Sequence, residues 1–265
     1  MPYTSSDGVQ IYWEQEGFGP PLLLIMGLSF SQAMWGDLRP FLARHFRLIL
    51  LDNRGAGKSG TPVAPFSMAT MAADAVKVLD EAGVESADIF GISMGGMIAQ
   101  EVAIRYPARV QSLILGCTTC GGHRGAFPSL SAIRPLADPF LLRSARIRRA
   151  IPVLFDAGTP AERIQRDVEL LRANQPSARG YLMQLGAILS WTSYGRLPLI
   201  RARTLVLHGE HDRLVPPGNA HILARRIANA TLVMLPNAGH IFPTDQPEAT
   251  RHALMNFLQV HHAWT

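Results

Sequence analysis

The sequence predicts an α/β protein: a largely parallel, mostly buried sheet flanked by helices and interrupted by an inserted helical cap. Short apolar runs such as Leu22 to Met26 and Leu48 to Leu51 alternate with amphipathic stretches through the first third of the chain. That alternation is the pattern of βα units. From Gly121 to about Arg196 it stops, and Arg, Pro, Leu and Ala recur at helical spacing with no convincing buried strand. From Thr204 the strand pattern returns. One core made of residues 1–120 and 197–265, with a cap over 121–196, follows from that interruption. The 265 residues are 48% hydrophobic and 17% charged, which excludes a disordered, collagenous or coiled-coil chain and predicts a sizeable core.

The elements can be placed in order. Gln10 to Glu16 reads as an edge strand behind an Asp7-Gly8 turn, and Pro21 to Met26 as a buried strand. Ser31 to His45 reads as one helix, with Trp35, Leu38, Phe41 and Leu42 on a single face. Arg47 to Leu51 is a strand that runs into the loop Asp52 to Gly57. Ser67 to Ala82 is a helix with Gly83 as its stop, Asp88 to Ile92 a strand, and Met94 to Arg105 a helix ended by Pro107. Val110 to Leu115 is a strand. After the cap come a strand at Thr204 to His208, a helix at Gly218 to Ile227, a strand at Thr231 to Leu235 and a helix at Pro247 to Val260.

Composition narrows the function classes. The apolar runs are far too short to span a bilayer, and the first residues lack the basic start and apolar core of a signal peptide. No membrane association is expected, and the cytoplasm is the expected compartment. The net charge of +5 raises nucleic acid as a partner. Yet only Lys58 and Lys77 are lysines, and the remaining basic residues are arginines set among much alanine, a pattern of codon bias. The one dense cluster, Arg143, Arg146, Arg148 and Arg149, reads as a solvated helix face. No zinc finger or aromatic-interleaved basic motif accompanies it, so no nucleic-acid partner is expected. Cys117 and Cys120 cannot fill a zinc shell, and no metal or organic cofactor is implied.

The sharpest motif is Gly91-Ile92-Ser93-Met94-Gly95, a G-x-S-x-G pattern with a strand before it and a helix after it. A chain turning so tightly at the serine needs glycine two residues to either side. The turn projects the hydroxyl from the carboxyl end of the sheet beside a helix N-terminus. A serine hydroxyl is a poor nucleophile without a base. Of nine histidines, His45, His221 and His252 fall within helices, His261 and His262 at the C-terminus, and His208 inside the sheet register. His211 sits beside better-placed acids, and His123 opens the cap. His240, in Asn237-Ala238-Gly239-His240, follows a strand at the same sheet edge as Ser93, and it is the expected base. Glu210 and Asp212, on the loop after Thr204 to His208, both qualify as the acid that orients it.

Together these residues resemble the α/β-hydrolase superfamily, over Leu22 to Leu115 and Thr204 to Leu258. The segment Gly91 to Gln100 resembles the nucleophile turn of the 3-oxoadipate enol-lactonase-like and carboxylesterase branch. The resemblance implies a mostly parallel eight-stranded sheet and a serine hydrolase that cleaves a carboxylic ester or lactone through an acyl-enzyme. The segment Leu207 to Asp212 resembles that branch's acid loop, whose second acid is catalytic, which implies Asp212 rather than Glu210. The order Ser, Asp, His along the chain is the family's order. The resemblance further implies Leu28 and Met94 as backbone donors of an oxyanion hole. Where the family usually carries His-Gly at that loop, this chain has Met26-Gly27, which leaves open how the loop is held. Perhydrolases, carbon–carbon bond hydrolases and ligand-binding receptors share the same triad. Epoxide hydrolases and haloalkane dehalogenases place Asp at the position of Ser93.

Two further motifs have bland readings. Gly55-Ala56-Gly57-Lys58-Ser59 is like a phosphate-binding loop, but the first glycine of that motif is replaced by Asp52, and Thr61-Pro62 interrupts a following helix. It reads as a structural turn. Cys117-x-x-Cys120 reads as two ordinary semi-buried thiols. The cap is expected to set the substrate, with Phe127, Phe140, Met183, Leu185 and Trp191 as pocket candidates for a mostly apolar small-molecule ester or lactone. Monomer and homo-oligomer are equally compatible with the sequence.

Overall fold

The computed structural model describes residues 3–134, 147–174 and 177–259. Eight strands form one sheet: β1 (Tyr3–Ser6), β2 (Val9–Glu16), β3 (Pro21–Ile25), β4 (Arg47–Leu51), β5 (Ala87–Ile92), β6 (Val110–Gly116), β7 (Arg203–Gly209) and β8 (Ala230–Leu235). Their spatial order is β1-β2-β4-β3-β5-β6-β7-β8, with β2 antiparallel to both neighbours and every pair from β4 to β8 parallel. The parallel register places Ile25 beside Gly91, Ile92 beside Gly116 and Gly209 beside Leu235. All five carboxyl ends of β3, β5, β6, β7 and β8 therefore emerge along one edge, which is where ligands bind in open α/β sheets.

The central strands are apolar throughout because both faces are covered. Side chains alternate between faces, so Leu23 and Ile25 of β3 join a core with helices α2 (Met68–Glu81) and α3 (Met94–Arg105). Leu22 and Leu24 point the other way, toward Trp35, Phe242, Leu254 and Phe257. Helix α2 starts where its sequence says it should. The Ser67 hydroxyl accepts the Thr70 N–H at 3.1 Å, the Thr70 hydroxyl accepts the Ser67 N–H, and Gly83 follows the end at φ 66°.

Two expectations needed correction. The strand expected at the sheet edge from Gln10 to Glu16 lies second in the sheet, because the polar run Tyr3-Thr4-Ser5-Ser6 is itself a strand, held as a hairpin against Val9–Tyr12 by the Asp7-Gly8 turn. The stretch expected to be one helix from Ser31 to His45 is broken into a 3-10 turn at Gln32–Trp35 and the short α1 (Leu38–Leu42). Gly36 between them adopts φ 45°, ψ −132°, which no helix accommodates.

Between β6 and β7 the described residues hold α4 (Leu130–Ile133), α5 (Ile147–Leu154), α6 (Ala161–Ala173) and α7 (Ala178–Leu189), with no strand among them. Helix α7 comes so close to the loop after β4 that a Cβ at Gly180 would lie 2.0 Å from the Gly55 carbonyl oxygen. The final segments are α8 (Gly218–Arg226), α9 (Phe242–Asp245) and α10 (Pro247–Gln259). No described helix is long and apolar enough to cross a membrane. Of the arginine cluster, Arg148 and Arg149 are exposed on α5, while Arg143 and Arg146 lie outside the described residues.

Candidate active site

Ser93 is the single residue between β5 and α3, at φ 57° and ψ −121°. A non-glycine residue is rare there, and the position is held by bonds on both sides. Its N–H donates to the Gly116 carbonyl at 2.8 Å, and its own carbonyl accepts from the Thr118 hydroxyl at 2.7 Å and the Gly96 N–H at 2.9 Å. The flanking glycines are sterically required. A Cβ at Gly91 would lie 2.2 Å from the Gly95 oxygen, and one at Gly95 would lie 2.0 Å from the Ile25 oxygen. Because α3 begins at Met94, its first two N–H groups, those of Met94 and Gly95, have no helical carbonyl before them to bond.

His240 lies beyond β8, buried, with Nδ1 2.9 Å from Asp212 Oδ2. Asp212 is itself fixed. Its Oδ1 accepts the N–H groups of Leu214 at 2.9 Å and Val215 at 2.8 Å. His208 Nε2 approaches Oδ2 at 3.3 Å but lies 2.8 Å from the Val215 carbonyl, which can only accept, so Nε2 carries the hydrogen. Burial alone would raise the Asp212 carboxyl, but the imidazoles of His240 and His208 outweigh it and bring it down to about 2. An ionised Asp212 requires the hydrogen of His240 on Nδ1, which leaves Nε2 as an acceptor. Burial opposes charging of His240, yet the Asp212 carboxylate facing it raises its pKa well above the ordinary 6.5. Glu210, two residues away, points to solvent.

Cys117 is completely buried at φ 36° after β6, and its thiol, the Asp212 carboxylate and the His240 ring have donor atoms within 4.8 Å of one another. Among the described residues this is the one cluster of such side chains compact enough to suggest an ion. Burial pushes the thiol up, which keeps it protonated at neutral pH, and the imidazole and carboxylate are already bonded to each other. Cys120 is separately buried, its thiol directed at the Gly121 carbonyl.

Ser93 and His240 share the wall of a cavity of about 850 Å³ with Leu28, Met94, Phe127 and Leu185. Met183 and Trp191 are not on that wall. Helix α7 presents Tyr181, Leu185, Ile188 and Leu189, an i, i+4, i+7, i+8 stripe, and Met183 falls on another face. Trp191 is buried with its indole N–H donated to Glu101 at 2.7 Å. Phe140 lies outside the described residues, as do His261 and His262.

The loop Met26-Gly27-Leu28 is held without the family's histidine. Asn53 donates its amide to the Met26 carbonyl at 2.8 Å. Gln184 of α7 accepts the Ser29 N–H at 2.7 Å and donates to the Arg54 carbonyl at 2.8 Å. A Cβ at Gly27 would lie 3.2 Å from that of Ser93, so glycine lets the loop pass directly over the serine. Sequence reasoning missed Asn53 and Gln184. The phosphate-loop mimic binds its own carboxylate, because Asp52 accepts the N–H groups of Gln32 and Lys58, and a Cβ at Gly57 would overlap it.

Comparison with known proteins agrees with this architecture. A family model described as the alpha/beta hydrolase fold matches residues 20–247. The chain belongs to the α/β-hydrolase family. Within the family it is 31% identical to a poly(3-hydroxyalkanoate) depolymerase of Ectopseudomonas oleovorans, over 90% of this chain and 84% of that one. It is 28% identical to 3-oxoadipate enol-lactonase 2 of Acinetobacter baylyi, over 89% and 87%. Among solved structures it is similar to a thermophilic esterase from Thermogutta terrifontis, with a TM-score of 0.82, 27% identity and 98% and 97% coverage. These α/β-hydrolase relatives place the chain near the enol-lactonase and esterase branch and support hydrolase activity.

Proposed function

We propose that this α/β-hydrolase cleaves a carboxylic ester or lactone by way of an acyl-enzyme on Ser93. The observation that carries the reading is the His240–Asp212 pair. In the neutral ring it holds the hydrogen on Nδ1 and leaves Nε2 free to accept, on the wall of the cavity into which the strained turn presents Ser93. In this mechanism Ser93 Oγ attacks the carbonyl carbon as His240 Nε2 takes its proton, and Asp212 stabilises the imidazolium. The N–H groups of Leu28 and Met94 receive the developing oxyanion, each worth about a hundred- to a thousandfold in comparable hydrolases. His240 returns the proton to the leaving alkoxide, then activates the water that releases the acid. The helices between β6 and β7 act as the cap, and the apolar wall of α7 favours an apolar acyl or alcohol group. A panel of activated esters and lactones of graded chain length, with Ser93→Ala as control, tests the reading. Inactivity across the whole panel overturns it.

Two expectations arise from the geometry. Leu185→Ala or Ile188→Ala deepens the α7 wall and should shift preference toward longer chains, changing relative kcat/KM by about tenfold. Equal losses on every ester would show that these side chains only pack the fold. The second concerns pH. His240 must be neutral to accept a proton, and Asp212 raises its pKa above 6.5. Activity should therefore fall with a single-proton slope as pH drops through a midpoint above 6.5. A kcat/KM profile with its midpoint below that value would contradict the assigned pairing.

A further inference from the structure

The cap is tied to the proposed acid–base pair more directly than a substrate lid requires. His240 is flanked on both sides by backbone N–H groups that lead into one cap turn, residues Leu154 to Thr159. On one side, the Ile241 N–H donates to the Leu154 carbonyl at 2.8 Å. On the other, the Gly239 N–H donates to Asp245 Oδ2 at 2.6 Å. The same Asp245 oxygen accepts the Asp156 N–H at 3.2 Å, and Oδ1 accepts the Thr159 hydroxyl at 2.5 Å. Asp245 is 5% exposed, so these bonds are its environment. The approach is close enough that a Cβ at Gly239 would lie 3.0 Å from the Asp156 nitrogen and 3.1 Å from the Leu154 oxygen.

The acid loop meets the same turn. His211 Nδ1 lies 2.5 Å from Asp156 Oδ2 in the turn, and Arg213 donates at 3.1 Å to the carbonyl of Pro152 in α5, the helix that leads into it. Asp212 sits between these two residues. The acid and histidine loops are also packed on each other, since the His211 N–H donates to the Ala238 carbonyl at 2.8 Å. One cap turn thus braces both loops, and a single buried carboxylate joins it to the residue before His240.

We propose that Asp245 is a positioning residue for His240, joining the cap turn Leu154 to Thr159 to the histidine loop and so setting the aim of the imidazole. This rests on the reading of His240 as the base. A carboxylate suits the task because it accepts three donors at once, one from the histidine loop and two from the cap turn. A displacement of the base by about 1 Å is enough to cost about a hundredfold in rate.

The test uses Asp245→Ala, Asp245→Asn and Thr159→Val in the full chain, with acetate ester as substrate and a phosphonate to count functional sites. Asp245→Ala should lower kcat per functional site by about 10- to 100-fold with KM changed little, since the smallest ester barely uses the cap. Asp245→Asn should restore most of it, because its amide oxygen still accepts the Gly239 N–H while its NH2 turns to the Thr159 oxygen. Thr159→Val keeps the shape and removes one donor, and should give a smaller loss of the same kind; it decides the matter if the alanine variant does not fold. The downfield proton resonance of His240 Nδ1–H gives a readout independent of turnover, and should broaden or shift in Asp245→Ala and Thr159→Val. Unchanged per-site kcat and an unchanged resonance, with only thermal stability reduced, would overturn the proposal. A wild-type protein that hydrolyses no ester would instead sink the hydrolase reading, while the resonance would still report on the positioning.

Discussion

Asp212→Asn is expected to reduce kcat on an activated ester by about 10⁴-fold, whereas Glu210→Gln should leave it near wild type. The asymmetry comes from what already bonds to Asp212. Its Oδ1 accepts two backbone N–H groups, from Leu214 and Val215. An asparagine would keep its one oxygen toward those donors, because turning the NH2 toward them would set donor against donor in a buried site. The NH2 would then face His240 Nδ1, which must accept. The hydrogen of the neutral ring moves to Nε2, and the imidazole can no longer take the Ser93 proton. The substitution thus preserves the fold and reverses the tautomer. Glu210 is exposed, and its loss removes nothing that His240 touches. A thermal melt on each variant separates lost function from lost structure, and the reverse ranking of the two activities would assign the acid to Glu210.

The parts of this molecule legible in sequence are those governed by local pattern. Buried parallel strands announce themselves as apolar runs such as Leu48 to Leu51, and Ser67 with Gly83 brackets α2. Ser93 and His240 stand out as candidates because turn geometry demands glycines near the first and a strand end precedes the second, whereas the loop after β7 offers Glu210 and Asp212 alike and only the family resemblance points to Asp212. Legibility fails where tertiary contact decides. Gly36 breaks a stretch whose apolar spacing alone is helical. Trp191 looks like a pocket wall, but the buried carboxylate of Glu101, 90 residues away in sequence, draws its indole N–H elsewhere. Gln184 and Ser29 are separated by 155 positions, and nothing local marks the glutamine as the support of the loop over Ser93. The Tyr181–Leu185–Ile188–Leu189 stripe was available as a helical face, and reading that face instead of single large residues would have excluded Met183.

Ser93→Ala is the substitution expected to cost most, about 10⁶-fold in kcat, in line with removal of the nucleophile from comparable serine hydrolases. Some acceleration over water should survive, because the N–H groups of Leu28 and Met94 and the apolar cavity remain. A serine-directed phosphonate should add once, on Ser93. The competing nucleophile in reach of the same histidine is Cys117, but it is completely buried, absent from the cavity wall and kept protonated by its surroundings. A thiol in that state attacks slowly. Chelator should leave the rate unchanged, since the Asp212 oxygens are engaged by the Leu214 and Val215 N–H groups and by His240, and an ion bound there would have to break the pairing that orients the proposed base. Mass spectrometry of the inhibited protein, with Ser93→Ala beside it, is the deciding measurement. An adduct on Cys117, or activity recovered in the alanine variant on adding a divalent cation, would replace the serine mechanism with a thiol or metal-assisted one.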